Sequence, residues 1–70
     1  MDRLPVDSSN LAAVGYDPET RTLEIEFRNG RVYRYFDVPS DVYEELMAAD
    51  TLGGYFNRNI RNRYPFEQIL

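Results

Sequence analysis

The spacing of apolar and polar positions changes along this chain from a period of two to about 3.6, which separates a sheet-forming half from a helical half. Between Thr22 and Phe27 the alternation is strict. Leu23, Ile25 and Phe27 fall on one side, Glu24 and Glu26 on the other, as in a half-buried strand. Upstream, residues 11–16 alternate more loosely and run into Asp17-Pro18-Glu19-Thr20. There Pro18 presets φ, and the Asp17 side chain can accept from the backbone beyond it. Downstream, Asn29-Gly30 tolerates positive φ and predicts a hairpin whose return strand covers residues 32–38. Residues 1–8 contain Pro5 and no apolar period, so they read as a flexible arm, with a single folded domain over residues 9–70.

The register of the hairpin decides where its arginine and tyrosines point. A two-residue turn would set Arg34 against Ile25 on the core side, burying a charge with no obvious partner. A three-residue loop with Gly30 as the bulge residue sets Tyr33 against Ile25, Tyr35 against Leu23, and Arg34 against Glu24. The bulged register is preferred: it buries two rings and offers a cross-strand ion pair. Beyond Pro39, Val42, Tyr43, Leu46 and Met47 form the apolar stripe of a helix, with Ser40 as its N-cap and Asp41 at the positive end of its dipole. Thr51 caps a second helix on which Leu52, Phe56 and Ile60 share a face, and Arg58 and Arg61 share the opposite one. Pro65 is expected to end that helix. The expected fold is α+β, a three-stranded antiparallel meander followed by two short helices packed on one face.

With 70 residues there is room for one small core and little room for an enclosed pocket. The chain has no Cys and no His, which removes disulfides, thiolate nucleophiles, imidazole acid–base catalysis and Cys/His metal sites. Glu24 and Glu26 lie two apart on a strand and could aim two carboxylates the same way, but alternation alone accounts for them as solvent-facing charge. A noncatalytic protein without metal or cofactor is expected. No apolar run is long enough to span a membrane and the N-terminus lacks a signal-peptide layout, so the expected location is cytoplasmic.

Charge is unevenly spread. The net charge is −4, which argues against a general polyanion binder, and every basic residue is Arg. Residues 1–50 carry five Arg against eleven Asp and Glu, whereas residues 51–70 carry Arg58, Arg61 and Arg63 against Glu67 alone. The basic end also holds Tyr55, Phe56, Tyr64 and Phe66.

Ser8-Ser9-Asn10, Val14-Gly15-Tyr16-Asp17, Tyr33-Arg34-Tyr35-Phe36, Val38-Pro39, Tyr55-Phe56-Asn57 and Ile60-Arg61 occur in an order and spacing that resembles the KTSC domain family. This short module is named for the C-terminus of some lysyl-tRNA synthetases and also occurs as a free-standing bacterial protein. The resemblance runs from about Val6 to Phe66, and its attachment to a tRNA enzyme implies RNA binding as the leading role.

For RNA, the segment whose residue chemistry fits is 55–66, which interleaves arginine, asparagine and aromatic side chains. Arg58, Arg61 and Arg63 are the candidate phosphate ligands, Asn57 and Asn62 the polar contacts, and Tyr33 or Tyr64 the stacking surface for a base of RNA or tRNA. The bland alternative makes Tyr55, Phe56 and Ile60 core, leaves Arg61 solvated and pairs Arg63 with a carboxylate; Tyr33 and Tyr35 would then be packing residues. Gly53-Gly54 lacks the spacing of a phosphate loop. The other functional expectation is a protein-interaction adaptor, docking a protein partner or forming a homodimer through the sheet or through the acidic face at Asp41, Glu44 and Glu45.

Overall fold

The computed structural model describes residues 1–70. Its elements are β1 (Leu4–Pro5), β2 (Leu11–Asp17), β3 (Thr22–Phe27), β4 (Val32–Tyr35), α1 (Ser40–Ala48), α2 (Leu52–Asn59) and β5 (Phe66–Gln68). The strands form one antiparallel sheet in sequence order, and the expected three-stranded meander is thereby corrected to five strands. β2, β3 and β4 are the expected strands, and β1 and β5 are short edges held by backbone pairing. Two or three residues carry no readable period, and Pro5 is tolerated because an edge strand needs no donor on its free side.

The hairpin between β3 and β4 adopts the bulged register. Leu23 pairs with Tyr35, Glu24 with Arg34 and Ile25 with Tyr33, and Gly30 takes φ +91 while its N–H donates to the Phe27 carbonyl. At the preceding turn the Asp17 Oδ1 accepts from Glu19 N at 3.0 Å, as its position before Pro18 predicts. The looser pattern of β2 has a similar cause. Leu11 and Val14 are an odd number of residues apart and would point to opposite faces of a regular strand, but the register shifts between Leu11 and Ala13, and both reach the core.

Leu11, Val14, Leu23, Ile25, Val38, Leu46 and Ile60 are fully buried between the sheet and the two helices, with Tyr35 and Phe56 beside them. α1 is held by Leu46 and by a stacked pair, Tyr16 on Tyr43, with ring centroids 4.7 Å apart; the Tyr16 hydroxyl donates to the Val38 carbonyl at 2.6 Å. Two helix boundaries differ from expectation. Pro39, not Ser40, occupies the N-cap of α1, because its carbonyl already accepts from Val42 and Tyr43. α2 ends at Asn59, well before Pro65; the chain then turns, and the Pro65 carbonyl accepts from Phe36 N to start the return to the sheet edge.

The face of the sheet away from the helices is partly covered by the N-terminus. Residues 1–8, expected as an arm, supply β1, and a Cβ at Gly15 would come within 2.7 Å of the Asp2 carbonyl oxygen. Gly15 therefore leaves space for the first residues to cross the strand. Arg3 meets Glu24 at 2.8 Å and Glu26 at 3.2 Å, while Arg34 meets Glu24 at 3.0 Å. Glu24, expected in solvent, is only 3% exposed because two guanidinium groups enclose its carboxylate.

Candidate functional site

Opposite that face, a groove of about 530 Å³ opens between the tip of the β3–β4 hairpin, the entry to β2 and the end of α2. Aromatic rings from β3, β4, α2 and β5 make its floor. The hairpin contributes Arg28, Asn29 and Arg31; the chain before and at the start of β2 contributes Ser9 and Asn10; α2 and the turn after it contribute Asn57, Arg61 and Asn62. Three guanidinium groups and four side-chain amides line the groove, and no carboxylate does. In a chain of net charge −4 this is a local inversion of sign.

Each basic group is placed by a separate feature of the chain. Arg28 sits in the hairpin loop and is fixed there, its Nε donating to the Ser8 carbonyl at 2.7 Å and a terminal nitrogen to the Val6 carbonyl at 3.3 Å. Arg31 is brought across from it by the Gly30 bulge. Arg61 enters because α2 stops at Asn59: a continued helix would carry Arg61 beside Arg58 on the wet face, whereas the turn directs it to the groove. All three ion pairs of the molecule belong to Arg3 or Arg34, so Arg28, Arg31 and Arg61 are not engaged by carboxylates.

The residues singled out from the sequence divide between the groove and its surroundings. Tyr33, Asn57, Arg61 and Asn62 line it; Arg58, Arg63 and Tyr64 do not. Arg58 lies over its own helix at Gly54, where a Cβ would stand 3.1 Å from Nη1. Arg63 is exposed, and it forms none of the ion pairs that the bland alternative required. Tyr64 packs against the core. Sequence reasoning missed Arg28, Arg31 and Asn29; the two arginines flank the Asn29-Gly30 turn, a cue that places them at one hairpin tip but not beside Arg61.

The aromatic floor is graded in exposure. Phe66, at the sheet edge, is 56% exposed and lies 5.9 Å from Tyr33 and 5.7 Å from Tyr35, centroid to centroid. Tyr33 is half-buried and its hydroxyl donates to Gln68 Oε1 at 3.2 Å. Tyr35 is 3% exposed, and burial, reinforced by Tyr33 and opposed by the Arg61 charge, pushes its phenol up from 10.0 to about 12. The folded state thus holds this proton more tightly than the unfolded chain. The stabilisation is complete below pH 10 and is lost as pH rises through 12. Alkaline titration is expected to remove about 3 kcal/mol of stability across that window, read as an unfolding transition coincident with late tyrosinate absorbance. Tyr35→Phe should flatten the transition; an unchanged profile would refute the assignment.

The KTSC domain family model matches residues 7–64. An uncharacterized protein of Stutzerimonas stutzeri is 48% identical over 58 residues, covering 83% of this chain and 82% of that protein. A lysine–tRNA ligase of Nostoc is 41% identical over 66 residues; the match covers 94% of this chain but only 12% of the ligase. In three dimensions, the crystal structure of a KTSC domain protein from Yersinia pestis superposes with a TM-score of 0.94 at 37% identity, over 99% of this chain and 97% of that one. No helix is long and apolar enough to cross a membrane. Family match, sequence identity and shared fold agree over nearly the same residues, and the chain belongs to the KTSC domain family.

Proposed function

We propose that this protein is a small binding module for single-stranded RNA, and that the groove between the hairpin tip and α2 is its binding surface. The observation that carries the reading is the lining: three arginines without a carboxylate, above aromatic rings, with amides at the rim. Arginine neutralises phosphate, amide side chains pair with base edges, and an exposed ring offers a stacking face to an unpaired base. Phe66 and Tyr33 supply that face, while Arg28, Arg31 and Arg61 take the phosphates. The match to a segment of lysine–tRNA ligases is in keeping with an RNA ligand.

Three phosphate contacts on a single strand correspond to a salt slope near −2, or about a twentyfold loss of affinity between 50 and 200 mM salt. An NMR titration of labelled protein with a short single-stranded RNA is expected to shift residues 28–33, 57–62 and 66, and to weaken by that factor. Arg31 and Arg61 make no side-chain bonds within the chain, so Arg31→Ala with Arg61→Ala should leave the fold intact and reduce the slope to about −0.7. Shifts confined to the acidic face of α1, or none at all, would refute the reading and turn attention to protein partners.

A further inference from the structure

Tyr35 has a property that packing does not require. Its ring is walled by Tyr33 at 6.4 Å, Phe56 at 5.4 Å and Phe66 at 5.7 Å, yet its hydroxyl makes no hydrogen bond within the chain, unlike those of Tyr16, Tyr33 and Tyr55; Tyr43 and Tyr64 also lack one, but only Tyr35 among the three is buried. The residue is 3% exposed and borders the groove, and its hydroxyl is not among fully enclosed unpaired atoms. A nearly buried residue with an unpaired donor thus lines the cationic groove together with Arg61, whose charge acts on the phenol. Such a group is poorly hydrated and gains most from a charged acceptor.

We infer that the groove floor at Tyr35 and Arg61 seats a terminal phosphate monoester, so that the ligand is a phosphorylated strand end and not the interior of a strand. This rests on the RNA-binding reading above. Tyr35 is almost wholly enclosed, with Phe56 and Phe66 against its ring and Arg61 lining the same groove, so an oxygen that reaches it passes between packed groups. An end brings one length of backbone down with it, whereas an internal phosphodiester must bring two. A monoester also carries close to two negative charges at neutral pH, which suits a lining with three guanidinium groups and no carboxylate. The terminal base then stacks on the exposed face of Phe66, and the rest of the strand leaves past Arg28 and Arg31.

The test compares one oligoribonucleotide sequence in three forms, with a 5′-phosphate, with a 3′-phosphate and with hydroxyls at both ends, by fluorescence anisotropy. One phosphorylated form is expected to bind roughly tenfold more tightly than the hydroxyl form, and which one does so identifies the end that is read. Tyr35→Phe should erase the difference without lowering the thermal midpoint, because the lost hydroxyl has no partner in the free protein. If that variant fails to fold, Arg61→Ala, at an exposed position, should erase most of the difference instead. Equal binding of all three forms would overturn the inference and leave the RNA reading standing. A preference that survives both substitutions would also overturn it, and failure of every form to bind would overturn both.

Discussion

Phe56→Ala is expected to leave most of this protein unfolded at room temperature. Phe56 is 3% exposed and meets Phe27 at 5.6 Å and Tyr35 at 5.4 Å, both edge-on, so its ring joins α2 to two strands at once. It is the buried residue within α2, which also contains two glycines and has no side-chain cap hydrogen bond. Truncating a buried Phe costs about 3–5 kcal/mol, and a domain of this size holds about 3–5 kcal/mol in all. Urea denaturation monitored by circular dichroism measures the loss directly. A cost below about 1 kcal/mol would mean that the surrounding rings collapse into the space, which their fixed edge-on geometry opposes.

The second large effect concerns the opposite face. Arg3→Ala combined with Arg34→Ala is expected to destabilise the fold by about 3 kcal/mol, because the Glu24 carboxylate would be left buried without a cation. Either substitution alone should cost about 1 kcal/mol, since the other guanidinium remains and both arginines are partly exposed. The decisive comparison adds Glu24→Gln to the double variant. If the loss comes from the stranded charge, the neutral amide should restore most of the stability. If it comes from detaching the N-terminal residues that cross Gly15, the triple variant should remain as unstable as the double. Residues 1–3 have no apolar pattern, yet Arg3 ties them to the central strand.

Both faces show where local pattern reaches its limit. The β3–β4 register follows from nearby residues, because Gly30 supplies the αL position and only the bulged alignment puts Tyr33 and Tyr35 beside Ile25 and Leu23. The apolar stripes on both helices likewise predict which residues face the core, and Leu46, Phe56 and Ile60 are buried as expected. β1 and β5 escaped notice because an edge strand of two or three residues is selected by the hydrogen-bonding groups of its neighbour and not by its own periodicity.

The candidate site was legible only in half. Tyr33, Asn57, Arg61 and Asn62 stand out in the chain and meet in the groove; Arg58 and Arg63 share the same run of sequence but point elsewhere. A cluster along the chain becomes a cluster in space only while the helix continues, and α2 stops at Asn59. Arg28 and Arg31 arrive from a hairpin some thirty residues earlier, carried there by the packing of α2 against the sheet. Strand faces, turn chemistry and helix stripes are set by residues within a few positions of one another, so they can be read from one dimension. The sign of the groove, the burial of Glu24 and the unpaired hydroxyl of Tyr35 depend on which distant groups share a space, and that is decided when the helices close over the sheet.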